Sequence, residues 1–144
     1  MLAYLISSLR NEKVPEYSQV LRDSGIEVFD DWFAAGPIAD DCWQEYETNR
    51  GHTYPEALQG WAAKHVFEFD KYHLERSDIG ILLMPAGKSG HLELGWMLGK
   101  GKPGYVLFPD GPPDRFDVMY QFANGVYFNI DEMIRDIKNV QSPF

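Results

Sequence analysis

The stretch PAGKSGHLELGWMLGKGKP, residues 85–103, leaves a glycine-containing turn and becomes apolar. One carboxylate, Glu93, stands just after the turn between Leu92 and Leu94. With no metal-ligand pattern around it, such an acid suits proton transfer or nucleophilic attack. The alternative is a common glutamate in the first turn of a helix, favoured by the positive end of the dipole. Spacing by itself favours that plainer reading. Lys88 and Ser89 in the same turn can meet a phosphate, and Gly90 lets backbone approach a ligand closely. His91, two residues before Glu93, is either a ligand contact or a solvated turn residue. A second carboxylate, Asp70, has Val66, Phe67 and Leu74 at helical spacing around it. On that stripe it is partly desolvated unless it faces a cleft. A third cluster, Ser7, Ser8, Arg10 and Asn11, combines hydroxyls, a guanidinium and backbone N–H groups that can hold an anion. Helix capping with a surface arginine explains it equally well.

These residues need elements to position them. LAYLIS (Leu2 to Ser7), IEVF (Ile26 to Phe29), DIGILLMP (Asp78 to Pro85), GYVLFPD (Gly104 to Asp110) and GVYFN (Gly125 to Asn129) read as strands. The third is continuously apolar, as in a parallel sheet covered on both faces. Helical patterns fall between them: VPEYSQVLRDSG, the long run Pro55 to Ser77, SGHLELGWMLGKG and IDEMIRDIKNV, with a shorter one in PDRFDVMYQFA. The alternation predicts one domain over residues 1–144: a doubly wound, flavodoxin- or Rossmann-like parallel sheet of about five strands with flanking helices. Such sheets bind ligands beyond the carboxyl ends of their strands, just after Ser7, Phe29, Met84 and Phe108. The acidic, Trp-containing excursion from Asp30 to Tyr54 reads as a loop with a short helix near Asp40–Asn49, long enough to be a lid or binding loop. Trp32 within it can stack on a base or belong to the core.

Composition narrows the partners. Apolar residues make up 44% of the 144 and aromatics 15%, which supports a packed core. A net charge of −9 repels phosphodiester backbones and argues against a nucleic-acid polymer as partner, though a local cationic pocket still admits a small anion. The single cysteine, Cys42, precludes an internal disulfide and is read as structural. No metal and no cofactor are expected: HExxH, GxGxxG and P-loop patterns are all missing. No apolar run is long enough to span a bilayer and MLAYLISSLRNEK lacks the build of a signal peptide, so the expectation is a cytoplasmic protein without membrane partners.

Taken together, AYLISSLRN, FDKYHLERSDIGILLMP and GHLELGWMLGKGKP resemble the nucleoside 2-deoxyribosyltransferase superfamily, which includes the 2'-deoxynucleoside 5'-monophosphate N-hydrolases. The likeness covers the first strand and the middle third, and extends loosely to the C-terminus. It implies Glu93 as the nucleophile that attacks the anomeric carbon, and Tyr4 as the tyrosine that orients it. Asp70 becomes the acid that contacts the sugar or assists the leaving base. It further implies a nucleoside or nucleotide substrate, transfer of the deoxyribosyl group to another base, and a homodimer or larger oligomer. Hydrolysis of a nucleoside 5'-monophosphate is the alternative, favoured by Ser8, Arg10 and Ser89. A non-catalytic nucleotide sensor is the third reading. The AGKSGH loop departs from both branches of the superfamily, and residues 30–54 have no counterpart in it.

Overall fold

In the computed structural model, which describes residues 1–141, five strands form one all-parallel sheet among the described residues. They are β1 (Leu2–Ile6), β2 (Glu27–Phe29), β3 (Ile79–Leu83), β4 (Gly104–Leu107) and β5 (Gly125–Tyr127), in the order β2-β1-β3-β4-β5. β1 lies in register with β3 (Tyr4 opposite Gly80) and with β2 (Tyr4 opposite Phe29). The chain leaves β1 towards β2, then returns across to β3 and beyond. The direction of winding therefore reverses between β1 and β3, and that switch point opens a crevice at their carboxyl ends.

Side-chain parity divides the core into two layers. Ala3, Leu5, Ile79, Ile81, Leu83, Tyr105 and Leu107 face α1 (Val14–Asp23) and α6 (Ile130–Gln141), whose Val14, Leu21, Met133, Ile134 and Ile137 are buried against them. Tyr4, Ile6, Leu82, Val106 and Phe108 face the opposite side, where α4 (Trp61–Arg76) and α5 (Lys88–Gly99) contribute Leu74, Leu94 and Met97. Each fully buried aliphatic side chain contributes about 1.5–3 kcal/mol, so both faces are firmly held. The fold is the single-domain, doubly wound parallel sheet that the alternation predicts.

The short helix expected near Asp40–Asn49 in the excursion after β2 is present, and a 3-10 turn precedes it. A 3-10 turn spans Asp31–Ala35 and α2 spans Ala39–Asn49. The long run from Pro55 to Ser77 is two helices instead of one. Thr53 and Glu56 form a reciprocal capping box that starts α3 (Tyr54–Leu58), and Gly60 is extended (φ −78°, ψ 164°) and begins α4. The expected helix in PDRFDVMYQFA is only a 3-10 turn over Val118–Phe122. Strand β5 stops at Tyr127 because Asn129 turns to cap α6, its Oδ1 accepting from Asp131 N (2.8 Å) and Glu132 N (3.2 Å). Among the described residues, no helix is long and apolar enough to cross a membrane.

Candidate active site

The site is built from one strand and two helices. Tyr4 is the middle residue of β1 and, by parity, points to the α4–α5 side, where it is 1% exposed. Its partner across the sheet, Gly80, has no side chain; a Cβ there would meet Met97 Sδ at 2.7 Å. Gly90 plays the matching role on α5, since a Cβ would come within 3.1 Å of Ile6 Cγ2 and 3.2 Å of Leu82 Cδ1. Two small residues thus let α5 settle close to the sheet. Glu93, one turn beyond Gly90, is half-buried beside Tyr4, and Asp70 approaches from α4, also half-buried.

Burial raises all three groups, and the charge of Asp70 adds to the rise of the other two. Burial, reinforced by the charge of Asp70, lifts the Glu93 carboxyl from an ordinary 4.5 to about 7, while hydrogen bonding with Tyr4 opposes the rise. Burial also raises Asp70. The Tyr4 phenol is driven far upward by burial and by the two carboxylates, so it stays protonated and serves as a donor. Glu93 lies in the second turn of α5, not the first, because the helix begins at Lys88. The dipole, which acts on the first turn, therefore does less for its charge than the sequence spacing implies. Desolvation governs this acid.

Phe29 backs Tyr4 at 5.2 Å between ring centroids and stacks on His73 at 3.8 Å and 12°. Arg76 Nε donates to His73 Nδ1 (2.7 Å), which fixes that nitrogen as an acceptor. His73 is half-buried in this packing.

The anion candidates gather at the switch point without touching the carboxylate pair. Ser7 Oγ donates to Leu83 O (2.8 Å) and accepts from Asn11 Nδ2 (3.0 Å); Asn11, 5% exposed, also reaches Pro85 O (3.4 Å). Ser7 and Asn11 thus tie the loop after β1 to the loop after β3. Ser8 Oγ accepts from Arg10 N (3.1 Å), while the Arg10 guanidinium reaches Asp41 Oδ2 on α2 (3.3 Å). Lys88 and Ser89 are exposed at the start of α5, whereas Gly90 is buried under the helix. His91 bridges Gly87 O (2.7 Å) and Tyr120 (2.9 Å). A carbonyl can only accept, so Nδ1 carries the proton and the Tyr120 hydroxyl donates to Nε2.

Trp32 Nε1 donates to Leu5 O (2.8 Å), and its half-buried ring packs against both core layers, the core alternative of its reading. The Asp70 stripe is not a core stripe, because Val66 and Phe67 are exposed and Leu74 alone in α4 is buried. Cys42, read as structural, is exposed on α2. Sequence reasoning passed over Asp41 and Tyr120, whose partners lie 31 and 29 residues away and leave no local signal. It also passed over Gly80, a glycine inside an otherwise aliphatic strand, which is a usable sign of close approach.

A groove of about 760 Å³ lies on the other flank of α5, between Leu94, Leu98, Met119 and Phe122. It takes in His91 but none of Tyr4, Asp70 or Glu93, and its polar members are engaged: Asn124 Oδ1 holds Gly104 N and Lys102 Nζ holds two carbonyls. The perturbed carboxylates at the switch point make the stronger case for chemistry. Among the described residues, no three His, Cys, Asp or Glu side chains gather as a metal cage requires.

The fold is a doubly wound parallel α/β sheet in which a carboxylate from α4 and one from α5 lie beside Tyr4 of β1. No protein-family pattern and no curated protein matches the chain. Among solved structures, the CMP N-glycosidase BcmB of Clostridium botulinum is similar over 96% of this chain and 99% of its own, with a TM-score of 0.56 and 13% identity. At that identity the likeness establishes the shared fold.

Proposed function

We propose that this protein cleaves the N-glycosidic bond of a nucleoside or nucleoside 5'-monophosphate through a covalent glycosyl–Glu93 intermediate. The observation that carries the reading is the convergence of a carboxyl at about 7, a second raised carboxyl and a protonated phenol in one crevice. Near neutral pH about half of Glu93 is ionised, and its high basicity makes it a better nucleophile than an ordinary carboxylate. Its oxygen bonds to C1' as the C1'–N bond breaks, and the bonding pair leaves on the base nitrogen. Asp70, which burial inclines to hold a proton, protonates the departing base. Water or a second base then attacks C1', the C1'–O bond to Glu93 breaks to release its carboxylate, and Asp70 takes up the proton lost by the attacking group. Tyr4 steadies Glu93 by donating to it and is itself too weak an acid to take part in proton transfer. Positive charge develops on the sugar in the transition state, and the desolvated Glu93 carboxylate stabilises it better than a water-exposed one.

A base acceptor gives deoxyribosyl transfer, and water gives hydrolysis. The Ser8–Arg10 cluster at the same strand ends favours substrates with a 5'-phosphate. Hydrolysis of such a nucleotide is also what the name of the similar structure describes. The test is incubation with a panel of nucleosides and nucleoside 5'-monophosphates, with and without a free acceptor base, followed by chromatography. Free base without acceptor identifies a hydrolase and base exchange a transferase. Either activity should vanish in Glu93→Gln. Tight binding with no turnover of any substrate would instead make the protein a sensor, and an unchanged rate in Glu93→Gln would remove the nucleophile assignment.

The reading includes a second copy of the chain. Trp61, Val66, Phe67, Phe69 and Tyr72 are exposed along α4 beside Asp70, and Leu92 is 75% exposed beside Glu93. Apolar surface of that kind around a crevice is suited to self-association that sheds water from the site.

A further inference from the structure

We infer that Asp41 is a specificity-determining residue that weighs against phosphorylated substrates by competing for Arg10, an inference that rests on the phosphate reading of Ser8 and Arg10. The loop after β1 carries two cations, Arg10 and Lys13, and each is held by a carboxylate from a distant segment. Asp41 on α2 takes Arg10, and Asp110, beyond β4, takes Lys13. Both pairs sit at the carboxyl ends of the strands, where a substrate phosphate would arrive. The Arg10–Asp41 pair is open to water, with side chains 69% and 64% exposed, and its 3.3 Å contact is a single one. Exposed pairs of this kind are weak and screened by salt, so a dianionic phosphate can replace the carboxylate on the guanidinium, with better bidentate geometry. Until it does, Asp41 neutralises the cation that would attract it, and afterwards Asp41 stands as a like charge beside it.

Two consequences follow from that exchange. A substrate without a phosphate leaves the pair intact, with α2 tethered over the loop. A phosphorylated one must break the tether, so its affinity carries a penalty that the uncharged sugar does not. Asp41→Asn removes the penalty while leaving Arg10 in place.

The test uses 2-deoxyribose 5-phosphate and 2-deoxyribose, which report the sugar–phosphate contacts whatever base the protein prefers. Binding to the full chain is followed by NMR titration of the amides of residues 8–11 at low and physiological salt. Asp41→Asn should tighten the phosphorylated sugar by roughly two- to tenfold and leave the unphosphorylated one unchanged, with the gain shrinking as salt rises. Glu27→Gln, exposed at the amino end of β2, changes net charge by the same amount and controls for the general field of the protein. An equal gain in Glu27→Gln, or none in Asp41→Asn while Arg10→Ala still weakens the phosphorylated sugar, overturns the inference and leaves the phosphate reading standing. No binding of the phosphorylated sugar, or no loss in Arg10→Ala, overturns the phosphate reading itself.

Discussion

Replacing Glu93 by glutamine should make the protein more stable at alkaline pH while removing its activity. In the unfolded chain this carboxyl titrates at its ordinary 4.5; in the folded protein burial holds it at about 7. Between those values the native state keeps a proton that the unfolded state has lost. Stability therefore falls as pH rises through this window, and the whole penalty is present above it. A displacement of that size corresponds to roughly 3 kcal/mol. Glutamine keeps the shape and an oxygen to accept from Tyr4, but never ionises. Its extra N–H group needs a partner in the crevice and costs about 1 kcal/mol if it finds none. The variant should then exceed the parent by about 2–3 kcal/mol near pH 8.5 and fall to between equal and about 1 kcal/mol less stable near pH 4.5. For 144 residues this is a rise in Tm of roughly 8–12 °C. Urea or thermal unfolding of both proteins at the two pH values measures it. A difference that does not change with pH, or a variant less stable than the parent at the higher pH, would refute the claim that desolvation sets the state of this acid.

Two neighbours should move the Glu93 titration in opposite directions. Asp70→Asn removes the charge that raises it, so the ascending limb of the kcat/KM profile should shift to lower pH; a shift upward would contradict the coupling. Tyr4→Phe removes the hydrogen bond that lowers it, so the limb should shift to higher pH, with the rate down by about tenfold or more; an unmoved profile would separate Tyr4 from Glu93. Gly90→Ala sets a Cβ near Ile6 and Leu82 and should cost about 1–3 kcal/mol, with activity falling further than stability as α5 lifts. Full activity in a stable Gly90→Ala protein would mean that the closeness of α5 is not what positions Glu93. Phe67→Glu should drive any dimer towards monomer in sedimentation; an unchanged mass would exclude that part of α4 from the contact.

The sheet was legible because its strands are covered on both faces. LAYLI, IGILL and YVLF lie in the sequence as nearly unbroken apolar runs, and only a parallel sheet between helix layers asks for that. The approximate position of Glu93 followed from strand, glycine turn and helix. Its true turn did not, because Lys88 opens the helix without any capping side chain to mark the start. The stripe through Val66, Phe67 and Leu74 has the spacing of a buried face, yet among the described residues no element covers its first two members. Periodicity records that a surface is apolar and is silent on what covers it. The Arg10–Asp41 pair was illegible for a different reason. It depends on where α2 comes to rest, and nothing in residues 30–54 repeats or matches a pattern that would say so.

The same geometry that makes Glu93 costly also places it. In a strand, neighbouring side chains point to opposite faces, so Tyr4 meets α5 only because β1 pairs with β3 in the register that sets it opposite Gly80. A slip of one residue would send Tyr4 into the layer beneath α1 and α6 and bring Leu5 under Glu93. The acid would then face hydrocarbon with no donor. Gly80 and Gly90 work in the same direction by removing the side chains that would keep α5 away from the sheet. Close docking excludes water, and exclusion of water raises the carboxyl towards neutral pH. A looser α5 would relieve the strain on Glu93 and return it to an ordinary, weakly basic carboxylate. The proposed reactivity of Glu93 is therefore set against the stability cost of its buried charge, and the two glycines fix the distance at which that cost arises.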